Sequence, residues 1–376
     1  MTCSLYNEVY SVYGKMHIGI LFFLFLIISL LSIQNISAQS MNYTLHEGEL
    51  DGAPFTVVVP DERVDGKVFF HVHGWRPADA PHKADIDPDE PFYRSLLERG
   101  WVIGRTAFQE NGVDHKAHTK ALQELKVWIE ENIDAAELVV LEGESTAGTL
   151  VLRIAEQNPD LADGVIAKGA FIDLEDEAAD SYLQGNPSVP AILMSNLTEL
   201  DGPVSYAAVA ENAPVSPALR PLMRPGHVNV NWVERLEALQ AIQSWIEEGV
   251  YSPVTDGTRS VPDRDTGTIT ENGVLVNKVT AVDIFFGNAT LGFHPEELEL
   301  AEIIQGETFI IEIGGQQRNV YYGETYGDVS HGEWVAFPLA DDQILLARNH
   351  ESAIQSAGIQ TGDEIRLWAL PESERH

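Results

Sequence analysis

The chain has 376 residues, enough for two domains, and carries 58 Asp and Glu against 23 Lys and Arg, a formal charge of −35. A surface this acidic repels phosphates and disfavours nucleic acid and anionic membranes, so no nucleic-acid partner is expected. Arginine outnumbers lysine, and this acidic, lysine-poor composition is that of proteins working in high salt, where screening relieves self-repulsion.

The first element is an export signal. Lys15 and His17 precede an apolar run from Ile18 to Ile33, and Ile36-Ser37-Ala38 offers a cleavage site before Gln39. Residues 1–38 are therefore expected to be a signal peptide, with Met16 as an alternative start and an uncleaved anchor as the alternative outcome. The only cysteine, Cys3, lies ahead of this run. The mature chain is thus expected to hold no disulfide and no cysteine-based metal site, and no stable membrane association is expected after cleavage.

Residues 39–252 then alternate strands and helices. A hairpin is expected from Glu47 to Pro60. Val68-Phe69-Phe70-His71-Val72 reads as a strand and runs into His73-Gly74-Trp75-Arg76-Pro77. Trp101-Val102-Ile103-Gly104 is a strand. Residues 116–133 form a helix with Leu122, Leu125, Trp128, Ile129 and Ile133 on one face. Next comes the apolar strand Leu138-Val139-Val140-Leu141, then Glu142-Gly143-Glu144-Ser145-Thr146-Ala147-Gly148, then a helical pattern. A serine between small residues at a strand-to-helix turn is a nucleophile elbow, with Ala147 where the usual pattern has glycine. Gly164-Val165-Ile166-Ala167 and Pro190-Ala191-Ile192-Leu193-Met194 are further strands. The alternation predicts a parallel sheet with helices on both faces. The acidic stretches Asp85 to Glu90 and Asp173 to Asp180 read as solvated loops or helix faces. The short segment between Phe171 and Val189 leaves little room for a lid, so an open site is expected.

The remaining triad members follow in order. Glu199 and Asp201 both lie just past the 190–194 strand, Glu199 being the closer, and His227 sits in a loop before a helix around 231–248. A serine hydroxyl needs a base near neutral pH. His227 is expected to be that base, with Glu199 or Asp201 holding its tautomer. The backbone N–H of Thr146 is expected to be one oxyanion donor. His73 is expected to brace its loop. These residues resemble the α/β-hydrolase superfamily over roughly 42–250, and within it secreted feruloyl-esterase or tannase-type hydrolases. The resemblance implies a second oxyanion donor at Trp75, after the His-Gly pair.

Residues 253–266 read as a linker. Residues 267–376 change to short strands, among them 274–277, 309–313, 319–322 and 364–367, and predict a mostly β domain. Asp283-Ile284-Phe285-Phe286-Gly287-Asn288, Thr325-Tyr326-Gly327-Asp328-Val329 with Gly332-Glu333, Ala347-Arg348-Asn349, and Gly362-Asp363 are similar to the C-terminal domain of the S-adenosylmethionine hydroxide adenosyltransferases, which include the fluorinases and chlorinases. That resemblance implies nucleoside contacts at Asp283, Phe286, Asn288, Tyr326 and Arg348. Three departures oppose it, the first being Leu291-Gly292 where the family continues with Thr-Asn. Asp341 stands where the family has a cation, and the family's N-terminal catalytic domain is absent. The alternative is a reused β module for packing, dimerisation or substrate contact. His331 and His350 read as surface residues, and no His and carboxylate cluster has metal spacing.

The sequence thus predicts an α/β-hydrolase sheet followed by a smaller β domain, acting as a secreted serine hydrolase on carboxylic esters. It needs no cofactor and no metal. Its partner is a small or polymeric ester substrate, with a homo-oligomer through the β domain as a further option. A serine peptidase on the same scaffold, or a non-catalytic nucleoside- or polymer-binding protein, are the competing readings.

Overall fold

The computed structural model describes residues 42–64 and 66–371. The expected signal peptide and cleavage site, and Cys3, lie outside the described residues. Among the described residues, no helix is long and apolar enough to cross a membrane.

The first sheet has the order β1-β2-β4-β3-β5-β6-β7-β8. Its strands are β1 (Tyr43–Leu50), β2 (Ala53–Pro60), β3 (Lys67–Val72), β4 (Val102–Thr106), β5 (Leu138–Glu144), β6 (Gly164–Lys168), β7 (Ala191–Asn196) and β8 (Ala218–Leu222). β1 and β2 form the expected hairpin. β2 runs antiparallel to β4, and every pairing from β4 to β8 is parallel. Parallel strands are covered on both faces, so their apolar residues run continuously rather than alternating. One face buries Val68, Phe70, Val139, Leu141 and Val165 under α2 (His115–Asn132) and α3 (Thr146–Gln157). The other takes α1 (Pro91–Leu97) and α5 (Trp232–Glu248), with Phe69 packed edge-on against Phe92 at 5.4 Å. The expected parallel sheet with helices on both faces is therefore present.

Several elements escaped the sequence pattern, and two of them bear on the site. β8 contains Pro221, which argues against a central strand; it is the edge strand, where proline is tolerated. The start of the expected linker runs along it, with Gly257 N–H donating to Pro221 O at 2.9 Å and Thr255 N–H to Leu219 O at 3.1 Å. The helix α4 (Asp201–Val209) opens on Asp-Gly-Pro, which reads locally as a turn.

The second sheet is built from β9 (Ile269–Glu271), β10 (Val274–Asp283), β11 (Asn288–Leu291), β12 (Thr308–Ile313), β13 (Gln316–Tyr322), β14 (Trp334–Pro338), β15 (Ile344–Arg348) and β16 (Glu364–Ala369), with short helices α6 (Pro295–Leu300) and α7 (Ala353–Ala357). Its order is β11-β15-β14-β13-β12-β16-β10-β9, and β10 also pairs with β11. That extra pairing closes the sheet into a barrel and removes the open edge between β10 and β11. Alternate residues such as Phe309, Ile311 and Ile313 fill its interior.

The barrel is hydrogen-bonded to the α/β sheet's loops. Ala340 N–H donates to Asn229 Oδ1 at 2.6 Å, and Asn231 Nδ2 donates to Ala340 O at 3.0 Å. Arg264 donates to Asp342 O at 3.0 Å.

Candidate active site

Ser145 closes β5 and caps α3 with φ 55° and ψ −122°. No ordinary side-chain conformer favours that backbone, and such strain persists only where the surroundings enforce it. Two glycines show the enforcement. A Cβ on Gly143 would collide with the Ala147 carbonyl across the turn. A Cβ on Gly74 would lie 2.8 Å from Glu144 O and 3.1 Å from Ser145 Cβ, so the loop after β3 approaches the elbow at a distance only glycine allows.

The side chain of Ser145 meets the expected partners. His227 Nε2 lies 2.9 Å from Ser145 Oγ, and His227 Nδ1 lies 2.6 Å from Glu199 Oε2. With Glu199 ionised, Nδ1 carries the proton and Nε2 presents its lone pair to the serine. Glu199 comes from the 3-10 turn Leu197–Glu199 directly after β7. Asp201 is instead in the first turn of α4, where its charge suits the helix N-terminus. The structure joins Glu199, not Asp201, to His227.

The loops carrying Glu199 and His227 are zipped together. The buried Asn196 side chain accepts from Asn229 N–H at 2.9 Å and donates to Asn229 O at 3.1 Å. Thr198 Oγ1 donates to Gly226 O at 2.8 Å and accepts from Gly226 N–H at 3.2 Å. Val228, next to the histidine, takes φ 52°, and its N–H points to Glu199 Oε1 at 3.4 Å. None of Asn196, Thr198 or Asn229 was identified from the sequence. Polar residues at a strand end carry no periodic signal, and their partners lie about thirty residues away.

Trp75 follows Gly74, and Thr146 opens α3; both belong to segments that abut the elbow. Their backbone N–H groups are the expected oxyanion donors. His73 is buried, its Nδ1 2.8 Å from Gly74 O and its ring 4.8 Å from Phe108. Burial, followed by the charges of Arg76 and Arg105, holds it well below the usual imidazole range, so it stays neutral and braces the loop.

Beneath the elbow lies a buried ionic cluster. Fully buried Glu142 accepts from Arg235 Nε at 3.0 Å and Nη2 at 2.6 Å, and Lys168 Nζ is 3.2 Å away. Burial alone would raise the Glu142 carboxyl; Arg235 and Lys168 overcome it and hold it down at about 2. Lys168 also reaches Glu144 at 3.5 Å, and Arg235 lies flat on Phe92 at 3.7 Å. Glu142 was visible as part of the elbow motif, but its partners come from β6 and α5, far along the chain.

Four of the five expected nucleoside residues, Asp283, Phe286, Asn288 and Tyr326, lie together at one end of the barrel. Asp283 accepts from Phe285 N–H at 2.8 Å and Phe286 N–H at 3.2 Å, and burial raises its pKa. Asn288 Nδ2 donates to Tyr326 Oη at 2.9 Å. The Tyr326 phenol is pushed up to about 12 by burial and then by Asp283. Phe286 faces Trp75. Arg348 is engaged within the barrel, donating to Gly332 O and Ser356 Oγ and pairing with Glu351. Asp341 Oδ2 accepts from Gln343 Nε2 at 2.7 Å. His331 and His350 stack on each other, with centroids 5.4 Å apart.

The structure brings His294, Glu296 and Asp342 within 4.8 Å of one another, a grouping the sequence spacing hides. His294 Nδ1 lies 2.9 Å from both Asp342 O and Asp342 Oδ2, and Nε2 lies 3.0 Å from Arg264 O. Burial alone would lower its pKa, but the two carbonyls and the Asp342 carboxylate raise it. Both ring nitrogens face backbone carbonyls, so the imidazole ties the linker carbonyl of Arg264 to the Asp342 turn.

Residues 277–366 match the family model of the SAM hydroxide adenosyltransferase C-terminal domain. This is the barrel. No curated protein matches the chain. Among solved structures, an uncharacterized conserved protein from Thermotoga maritima is 21% identical over 34% of this chain and 49% of its own, with a TM-score of 0.26. The chain thus spans about half the length of that protein. An esterase from Pyrococcus furiosus is 14% identical over 57% of this chain and 93% of its own, TM-score 0.41. A putative dienelactone hydrolase from Klebsiella pneumoniae is 12% identical over 55% and 99%, TM-score 0.44.

Proposed function

We propose that the protein is an exported serine hydrolase that cleaves carboxylic esters through an acyl-enzyme on Ser145. The observation that carries this reading is the unbroken line of two hydrogen bonds, Ser145 Oγ to His227 Nε2 to Glu199, at 2.9 and 2.6 Å. In acylation, Ser145 Oγ attacks the ester carbonyl carbon and its proton passes to His227 Nε2. The carbonyl oxygen becomes an oxyanion facing the N–H groups of Thr146 and Trp75. The carbon–oxygen bond then breaks, and His227 gives the proton to the departing alcohol. Water repeats the sequence against the acyl-enzyme, releasing the acid and restoring the serine hydroxyl. Glu199 touches no reacting atom; it orients the imidazole and stabilises its cation.

The His227 ring is 44% exposed beside Ser145, so the site is accessible to a small or polymeric ester. The test is hydrolysis of p-nitrophenyl acetate by the mature chain, beside Ser145→Ala and a matched anilide. We expect ester turnover by the wild type, and none above background in Ser145→Ala. Activity retained by the variant overturns the assignment of the nucleophile, and faster anilide than ester cleavage makes the protein a peptidase-type amidase.

A further inference from the structure

The hydrolase reading leaves the acyl group's position open, and three exposed aromatic rings around the elbow bear on it. Large apolar side chains left in water beside a reactive centre are unusual enough to ask what covers them. Phe171 is 55% exposed and its ring is 5.4 Å from His227. Trp75 is 48% exposed, and Phe286 of the barrel is 47% exposed; their centroids are 6.4 Å apart with planes inclined by 41°.

The sheet order sorts these rings. Ser145 ends β5. β3, which delivers Trp75, lies on one side of β5; β6, β7 and β8, whose following loops carry Phe171, Glu199 and His227, lie on the other. His227 must protonate the departing alcohol oxygen, so the alcohol projects toward the β6–β8 side, past Phe171. The acyl group then extends the opposite way, over the β3 loop, where the Trp75 and Phe286 rings form one continuous apolar wall. Those rings sit too close for a third ring to slide between them, so the acyl group lies across the wall.

The barrel's half of this wall is held firmly. Asp283 fixes the turn by accepting from the N–H groups of Phe285 and Phe286. Phe285 packs on the buried guanidinium of Arg76 at 3.6 Å, and Arg76 donates to Lys83 O at 2.9 Å. The residue after the expected oxyanion donor is therefore clamped to the residue before Phe286.

We propose that Phe286 is a specificity-determining residue of the hydrolase site, and that the Trp75–Phe286 wall selects esters whose acyl group is an apolar chain longer than acetyl. This rests on the serine-hydrolase reading. The experiment compares p-nitrophenyl hexanoate with p-nitrophenyl acetate, which share a leaving group, so their kcat/KM ratio reports the acyl side alone. The full mature chain is used as wild type, Phe286→Ala and Phe286→Leu. We expect the wild type to prefer hexanoate, Phe286→Ala to lower the hexanoate-to-acetate ratio by about tenfold, and Phe286→Leu to recover most of it. Phe286 is exposed, so its truncation leaves both cores intact. A ratio unchanged in Phe286→Ala, with the wild type turning over both esters, overturns the wall while leaving the hydrolase standing. A wild type that hydrolyses neither ester overturns the hydrolase reading and the wall with it.

Discussion

The two sheets of this protein bury different things. Among the described residues, the buried polar and charged side chains of the barrel come down to Asn288, while the α/β sheet and its loops bury His71, His73, Arg76, Glu142, Lys168, Asn196, Glu234 and Arg235, with others. The barrel interior is apolar and closed, and its ion pairs, such as Arg348 with Glu351, lie outside. The α/β sheet instead places a buried ionic cluster and a strained serine at the same strand ends. Buried charge is costly unless paired and hydrogen-bonded. Buried charge and a strained serine gathered at one set of strand ends depart from what packing alone would favour, and such departures mark a site. The barrel still reaches the site, through Phe285, Phe286 and Ala340.

The comparison can be broken by substitution. The largest expected effect is on the nucleophile. Ser145→Ala should lower kcat by on the order of 10⁶, and adding His227→Ala should cost little more, since the two act as a unit; steady-state kinetics on an ester checks both. Glu199→Gln should lower kcat by about 10⁴, because the neutral amide no longer fixes the imidazole tautomer. Asp201→Asn should stay within a few fold. A larger loss in Asp201→Asn would reassign the acid. Next come the ion pairs. Arg235→Met removes the bidentate partner of Glu142, leaves it Lys168 alone, and should cost about 3 kcal/mol by denaturant unfolding. Arg348→Met in the barrel should cost about 1 kcal/mol. Equal losses would erase the contrast between the two regions.

Acid titration gives a further handle. Glu142 is held at about 2 against an ordinary 4.5, so its charged form favours the folded state. Its contribution should be complete above about 4.5 and be lost as the pH falls toward 2. Glu142→Gln should flatten that part of the stability profile. The smallest effect concerns the surface. With a formal charge of −35 the melting temperature should rise modestly from low to molar sodium chloride, through screening; a flat or falling curve would remove the high-salt reading.

Much of this was legible in the sequence because it rests on local pattern. Apolar strands, the amphipathic helix now seen at His115–Asn132, and the small residues around Ser145 all announce themselves within a few residues. The order of Ser145, Glu199 and His227 was equally readable. What hid was long-range polar complementarity. Asn196 with Asn229, Glu142 with Arg235 and Lys168, and His294 with Asp342 are pairs from distant segments, and nothing in either partner's neighbourhood names the other. The same holds for the barrel. Motifs identified Phe286 and Asn288 as a group, but only packing shows that Phe286 turns to Trp75 while Asn288 bonds to Tyr326. β8 was obscured by Pro221, whose tolerance depends on being at an edge that only the topology defines.

The central claim is that Ser145 is a nucleophile activated by His227. The most direct measurement is covalent labelling of the protein by a fluorophosphonate, followed by mass mapping of the modified peptide. The account predicts stoichiometric addition at Ser145, slowed at least a thousandfold, on the order of general-base contributions, in His227→Ala. Labelling absent from Ser145, or unchanged in rate by His227→Ala, would contradict it.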